Sequence, residues 1–412
     1  MTPEPKELQE LVRALHQQAA PWLPAGLASR LHWGPAVSGI GKGEDNHDQP
    51  SQVLSCRKLN RILAHNPDDF TVRVQAGTPL VELQEELAHH RQWLAVDPPW
   101  GSGSERSPNN QGSIGGLVAR GLAGGLRQRY LGIRDQVIGI SLLRADGTAA
   151  KAGGQVVKNV AGYDLMRLLT GSWGSLALIT ELNLRTLPLP PQRIGLRITG
   201  GLEALAALSQ WLLQSSLSPE RLDWWRGGSS PWSLVISLAS INRQTLGEQS
   251  ACIQAKAAEG GLEAQALEPE DLAALEAQGR GANPSQPKDQ GLLSGEAGQW
   301  LLRLGVKPTQ VPALLASREL EGLAMVLGAG SGLGMAWAPA AALPIYRAEA
   351  LRRRCRDLGG YLTVLQQPEG CAMAAWLDAP SRPMIEAIKR QFDPKQQLAR
   401  GRLPGVQPTP VV

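Results

Sequence analysis

GGQVVKNVAGYDLMRLLTGSWGSLALITELNLRTLP, residues 153–188, organises the reading of the whole chain. Its glycine pair, Gly153 and Gly154, leads through VVKNVA to Gly162-Tyr163-Asp164. Leu165, Leu168 and Leu169 then recur at helical spacing, and Gly171 suits a helix C-terminus. In GSWGS, Gly171 and Gly174 can take positive φ without steric cost, which predicts a tight turn. Beyond it Leu182, Leu184 and Thr186 alternate with Asn183, Arg185 and Leu187 until Pro188 closes a strand. A short helix between glycine turns, feeding a strand, leaves backbone N–H groups beside a cleft. Such a cleft suits a large polyanionic cofactor.

KNVAGYDLMRLLTGSWGSLALITE resembles the second conserved block of the FAD-binding fold shared by vanillyl-alcohol oxidase and p-cresol methylhydroxylase, the PCMH type. The lysine–asparagine run before GYD is similar to that of the small flavin subunits of bacterial glycolate oxidase, also called glycolate dehydrogenase. The resemblance runs from about residue 53 to 190 and again from about 360 to 404. It implies an α+β fold: a two-lobed PCMH-type FAD-binding domain, an α+β cap, and a C-terminal tail returning to the FAD domain. The divisions expected are an N-terminal helix at 1–28, the FAD-binding domain at 29–190, the cap at 191–346, and the end of the cap with the tail at 347–412. The cofactor implied is non-covalent FAD, because His32 and His47 flank the first loop without standing where covalent relatives tether the ring.

The N-terminal stripe Leu8, Leu11, Val12 and Leu15 has helical spacing. GPAVSGIGKG, residues 34–43, occupies the place of the family's first phosphate loop. There Gly39, Ile40 and Gly41 are expected to bring backbone N–H groups to the pyrophosphate, with Lys42 adding charge; an ordinary solvent loop is the competing reading. TVRVQAGTPLVELQEEL reads as strand, glycine and helix, with Val72, Val74 and Ala76 on one face. Thr78 is read as N-cap, Pro79 as the first helical residue, and Leu80, Leu83 and Leu87 as facing the sheet. Asp97-Pro98-Pro99 ends a strand, and Gly112-Ser113-Ile114-Gly115-Gly116 opens an apolar helix. Successive N–H groups at that helix start would make an anion site, against the alternative of a packing turn.

In the family this second loop wraps the FAD pyrophosphate, and Ser113 takes the place of its hydroxyl residue. The cofactor contacts expected from the resemblance also include Pro98, Arg134, Asp135, Gly162, Tyr163, Asp164, Ile179 and Arg402. Relatives carry asparagine-proline-glycine-arginine where this chain has Ala399-Arg400-Gly401-Arg402, so Gly401 and Arg402 remain and the asparagine does not. Asp146-Gly147 predicts a hairpin. GAGSGLG at 328–334 lacks the GxGxxG spacing, which disfavours a nicotinamide-dinucleotide fold.

The chain has 412 residues, with 41 basic against 37 acidic side chains, and a net charge of +4 requires no nucleic-acid footprint. Four cysteines lie far apart and form no CxxC, so neither iron–sulfur ligation nor a disulfide frame follows, and a reducing cytoplasm is expected. Residues 322–346 carry no charge and are long enough for a bilayer of ~30 Å. Their seven glycines and prolines instead predict two buried strands joined by a glycine turn, leaving membrane association to partners. Residues 192–346 alternate strand-like and alanine-rich helical runs, and GRGANPSQPKDQG reads as a surface loop. The chain has twelve tryptophans, and the pair Trp224-Trp225 falls in this region, where core filling is the commoner use.

All six histidines lie in the first quarter of the chain, ending at His90. Relatives that oxidise 2-hydroxy acids use cap histidines to hold a metal and to act as base. No such set is legible here, so no metal site and no catalytic residue is assigned; Tyr163 and Lys158 are conceivable bases. The resemblance therefore implies the FAD-binding subunit of a glycolate oxidase-type complex, converting glycolate, a small 2-hydroxy acid, to glyoxylate. Its partners would be a large flavoprotein subunit and an iron–sulfur subunit that accepts electrons. A stand-alone FAD-dependent 2-hydroxy-acid dehydrogenase and a degenerate subunit that has lost FAD are the alternatives.

Overall fold

The computed structural model describes residues 1–35, 52–99, 112–154, 164–280 and 298–407. The chain divides into two compact units. The first comprises residues 1–122, 132–189 and 374–412, and the second 123–131 and 190–373.

The first unit opens with α1 (Leu8–Gln17), whose Leu8, Val12 and Leu15 are buried. β1 (Trp22–Ala25) and β2 (Gln52–Ser55) pair in parallel. The chain's tail extends this pair, since Trp22 N–H donates to the Gln397 carbonyl and Ala399 N–H to the Trp22 carbonyl. β3 (Ile62–Asn66), β4 (Thr71–Gln75), β6 (Val137–Leu143), β7 (Ala149–Gly153) and β8 (Leu178–Arg185) form an antiparallel sheet in the order β3-β4-β8-β6-β7. β5 (Gln92–Trp93) pairs separately with β9 (Leu187–Pro188). Val72 and Val74 stand opposite Leu184 and Leu182, so the alternation of both strands lands on one face. That face is buried with Leu80, Leu83 and Leu87 of α2 (Leu80–Ala88) and Leu117 and Val118 of α3 (Ile114–Arg120).

α2 starts one residue later than read from sequence. Pro79 is the extended cap residue, and the Thr78 carbonyl accepts the Ile114 N–H at 2.9 Å. α5 (Ile133–Gln136) and α6 (Leu165–Leu169) complete the sheet's connections. The GSWGS turn takes positive φ at Gly171, Trp173 and Gly174. α12 (Arg382–Phe392) returns to this turn, where buried Lys389 Nζ donates to the Ser175 carbonyl at 2.7 Å, the Leu398 carbonyl at 2.9 Å and Asp393 Oδ2 at 2.5 Å.

In the second unit α4 (Arg127–Tyr130) is held by the Tyr130 hydroxyl, which donates to Glu220 Oε1 at 2.8 Å. β10 (Gln192–Thr199), β11 (Arg221–Arg226), β12 (Ser233–Ser240), β13 (Glu263–Leu267), β14 (Gln299–Gly305), β15 (Ala324–Gly328), β16 (Leu333–Pro339) and β17 (Tyr361–Gln366) form an eight-stranded sheet. Its order is β13-β10-β12-β11-β15-β16-β14-β17, antiparallel throughout. α7 (Leu202–Gln214), α8 (Arg243–Glu259), α10 (Val311–Leu315) and α11 (Ile345–Asp357) contribute Leu208, Ile253, Leu314 and Leu351 to its core. α9 (Pro269–Gly279) precedes the loop read at 279–291, most of which lies outside the described residues.

The uncharged stretch at 322–346 contains the hairpin β15–β16, and among the described residues no helix is long and apolar enough to cross a membrane. Trp224 and Trp300 are each 1 % exposed, so these tryptophans fill core.

Candidate cofactor site

A cleft in the first unit forms where three segments converge. They are the loop after β1, the start of α3, and the turn from Trp173 into β8. The loop leaves β1 at Ala25 and turns at Ala28, whose φ of 61° is left-handed. Among the described residues the N–H groups of Gly26, Leu27 and Ala28 have no hydrogen-bond partner. Adjacent unpaired amides at a left-handed turn make an anion-binding concavity.

The start of α3 behaves differently from its sequence reading. Ile114 N–H donates to the Thr78 carbonyl, Gly115 N–H to the Ala76 carbonyl, and Gly116 N–H to the Ser113 hydroxyl. These amides therefore hold the helix to the β4–α2 turn and do not form a free anion site. The glycines still have distinct duties. A Cβ on Gly115 would lie 2.7 Å from the Ala76 Cβ, so close packing requires this glycine. A Cβ on Gly116 would meet only the Ser113 Oγ at 3.1 Å, so its bare backbone faces the cleft.

Cationic groups stand beside the loop. Arg120 donates to the Arg30 carbonyl at 2.7 Å and the Trp33 carbonyl at 3.2 Å, and its guanidinium lies 3.9 Å from the Trp173 ring centroid. Buried Arg402 donates to the carbonyls of Pro35 at 2.8 Å and Leu31 at 2.7 Å. Buried Arg30 donates through Nε to the Pro99 carbonyl at 2.8 Å. Burial lowers the pKa of Arg120 well below its ordinary value, and the like charges of Arg402 and Arg30 lower it further. Burial brings Arg402 down to about 10. His32 is also lowered, by burial and then by Arg120 and Arg402. A bound anion would relieve this accumulated positive charge.

Of the residues expected from sequence, Gly112, Ser113, Gly115, Gly116 and Ile179 line the cleft. Ile114 is fully buried in the core beneath it. Arg402 grips the segment that continues from the loop, and Pro98 is buried next to the Pro99 carbonyl that Arg30 holds. Arg134 and Asp135 are exposed on α5, where Asp135 Oδ2 accepts the Gly132 N–H, and exposed Asp164 pairs with Arg167 at 3.2 Å. Those three residues do not line the cleft. Gly39, Ile40, Gly41, Lys42, Gly162 and Tyr163 lie outside the described residues.

Gly26, Ala28, Arg30, Arg120 and Trp173 were not among the residues expected from sequence. PAGLAS, at the end of a short strand, carries the small residues that a close-approach loop needs, but GPAVSGIGKG is richer in glycine.

Residues 3–153 match the FAD binding domain family. That match covers less than half of the chain and falls mostly within the first unit. FAD is thus the cofactor, and the cleft fits it: unpaired amides and arginines suit its diphosphate, and Gly116 leaves room for close approach. The chain is 36% identical to glycolate oxidase subunit GlcE of Escherichia coli (strain K12) over 164 residues, which is 40% of this chain and 45% of that one. It is 31% identical to D-lactate dehydrogenase of Anaerostipes hadrus over 220 residues, covering 53% of this chain and 42% of that enzyme. The chain thus spans less than half the length of these curated relatives. Among solved structures, alkyldihydroxyacetonephosphate synthase superposes with a TM-score of 0.69 at 13% identity, over 96% of this chain and 76% of the other. That likeness shows a shared mixed helix-and-sheet fold, in which the segment from Ala374 onward belongs to the first unit.

Proposed function

We propose that this chain is the FAD-binding subunit of a glycolate oxidase-type complex, which oxidises a small 2-hydroxy acid, glycolate, to glyoxylate. Electrons would pass to a large flavoprotein subunit and an iron–sulfur partner, and any membrane association would come through them. One observation carries the cofactor part of this reading: the unpaired amides of Gly26, Leu27 and Ala28 beside Arg30, Arg120 and Arg402. The similarity to GlcE supports the assignment to a complex.

When bound, FAD supplies a two-electron acceptor. This chain's residues would hold its diphosphate through the loop amides and keep the neighbouring backbone in place through Arg120 and Arg402. Oxidation of a hydroxy acid also needs a cation for the carboxylate and a base for the hydroxyl proton. The second unit contains no histidine, and a general base contributes ~10²–10⁴-fold, so the isolated chain lacks an imidazole for this step there. That absence favours dependence on a partner subunit.

The test is stopped-flow mixing of the FAD-loaded isolated chain with glycolate, followed at the flavin band. No bleaching on a catalytic timescale is expected, and bleaching should appear when the co-purified partner subunits are present. Acid precipitation should release all the yellow colour, as non-covalent binding requires. The similarity to D-lactate dehydrogenase favours a second reading, a stand-alone 2-hydroxy-acid dehydrogenase. Rapid bleaching of the isolated chain by D-lactate would establish it instead.

A further inference from the structure

β3 and α2 bring together a group of side chains that the FAD cleft does not use. Glu86 lies in the last turn of α2, His90 four residues on in the turn that follows the helix, and His65 on β3. Their ligand atoms all lie within 4.8 Å of one another, and the rings of His65 and His90 meet edge to face with centroids 4.9 Å apart.

The surroundings of His65 identify the atom left for a ligand. Gln92, which is 4 % exposed, donates through Nε2 to the Pro67 carbonyl at 2.7 Å, which fixes its amide orientation. Its Oε1 accepts from the Thr186 hydroxyl at 2.7 Å and faces His65 Nε2 at 3.1 Å. An amide oxygen only accepts, so Nε2 of His65 carries the proton and Nδ1 carries the lone pair. That Nδ1 is buried and has no hydrogen-bond partner. An imidazole whose Nε2 donates to a fixed oxygen acceptor, whose Nδ1 is left unpaired, and which has a carboxylate and a second imidazole within reach, has the makings of a metal ligand.

We propose that His65, Glu86 and His90 form a divalent transition-metal site, with Zn²⁺ the ion that two imidazoles and one carboxylate suit best. Mg²⁺ and Ca²⁺ prefer all-oxygen sets, and no cysteine contributes here to select a softer ion. The bound ion would fasten the end of α2 to β3, with its fourth position open to water. None of the three residues lines the FAD cleft, so the site is independent of the flavin.

The experiment uses the tag-free full chain, stripped with chelator and equilibrated with ZnCl₂. Bound zinc is counted after dialysis, and the thermal midpoint is read with and without the ion. One equivalent should bind and raise the midpoint, because an ion that binds only the folded state stabilises it. His65→Ala, Glu86→Gln and His90→Ala should each weaken binding at least tenfold and abolish the zinc-dependent rise, while His89→Ala, at the exposed neighbour, should change neither. Glu86 and His90 form no part of the buried core, so their variants will fold even if His65→Ala does not. No zinc retained by the wild type, or retention unchanged in both Glu86→Gln and His90→Ala, would overturn the proposal.

Discussion

Gly26 and Ser113 face each other so closely that a Cβ on Gly26 would lie 1.9 Å from the Ser113 Oγ and 2.9 Å from its Cβ. The loop after β1 and the start of α3 are thereby locked into one cleft wall. Gly26→Ala should force them apart, at a cost of about 1–3 kcal/mol typical of overpacking, and the protein should purify with little flavin. Adding Ser113→Gly removes the obstructing atoms and should recover part of the FAD content, measured as flavin per polypeptide. No recovery would show that the contact is not what sets the loop.

Neighbouring glycines of α3 should respond in opposite ways. Gly115→Ala meets the Ala76 Cβ and carbonyl and should lower the thermal midpoint. Gly116→Val meets only the Ser113 Oγ within its own chain, so the fold should survive while the new side chain occupies the cleft. A loss of roughly 1.5–3 kcal/mol of binding corresponds to more than a tenfold rise in the FAD dissociation constant. Titration of the stripped protein with FAD, beside circular dichroism, separates the two outcomes.

Lys389 and Asp393 form a buried pair that ties α12 to the GSWGS turn and to the tail at Leu398. Lys389→Met leaves the Asp393 carboxylate buried and without its cation. Breaking such a pair from one side costs about 3–5 kcal/mol, which urea denaturation should show as a lower midpoint. Lys389→Met with Asp393→Leu should be more stable than Lys389→Met alone.

Burial pushes the thiols of Cys56 and Cys355 up to about 12 from 9.0. Each therefore stays protonated in the folded chain where the unfolded chain would lose its proton. The folded state binds more protons between these values, so the thiol contribution is fully present below pH 9 and declines as pH rises toward 12. The midpoint of unfolding should fall above pH 9, and fall less steeply in Cys56→Ala/Cys355→Ala. At neutral pH a thiol reagent should label exposed Cys252 fastest and leave Cys56 and Cys355 unmodified until unfolding.

Much of the fold was legible in order along the chain. The stripe of α1, the alternation in β4 and β8, the hairpin at Asp146-Gly147 and the paired strands of 322–346 all depend on local periodicity and turn chemistry. Those patterns are written within a few residues of each other, so a linear reading recovers them. The glycine–serine run at 112–116 was expected at the cofactor site for the free amides of its helix start; Gly112, Ser113, Gly115 and Gly116 line the cleft, but the amides of residues 114–116 are taken within the chain.

What the amino-acid order by itself determined is therefore the local elements, the character of the FAD domain, and the absence of histidine after His90. Tertiary structure alone decided which amides stay unpaired. Those of Ile114 and Gly115 are taken by Thr78 and Ala76, and those of Gly26, Leu27 and Ala28 have no partner among the described residues. It also brought Arg30, Arg120 and Arg402 together, and set His65 of β3 beside Glu86 of α2 and His90 of the turn after it. The reason is physical: hydrogen-bond partners and charge neighbours are set by distance in space, and these groups meet only once the sheet and the returning tail have packed.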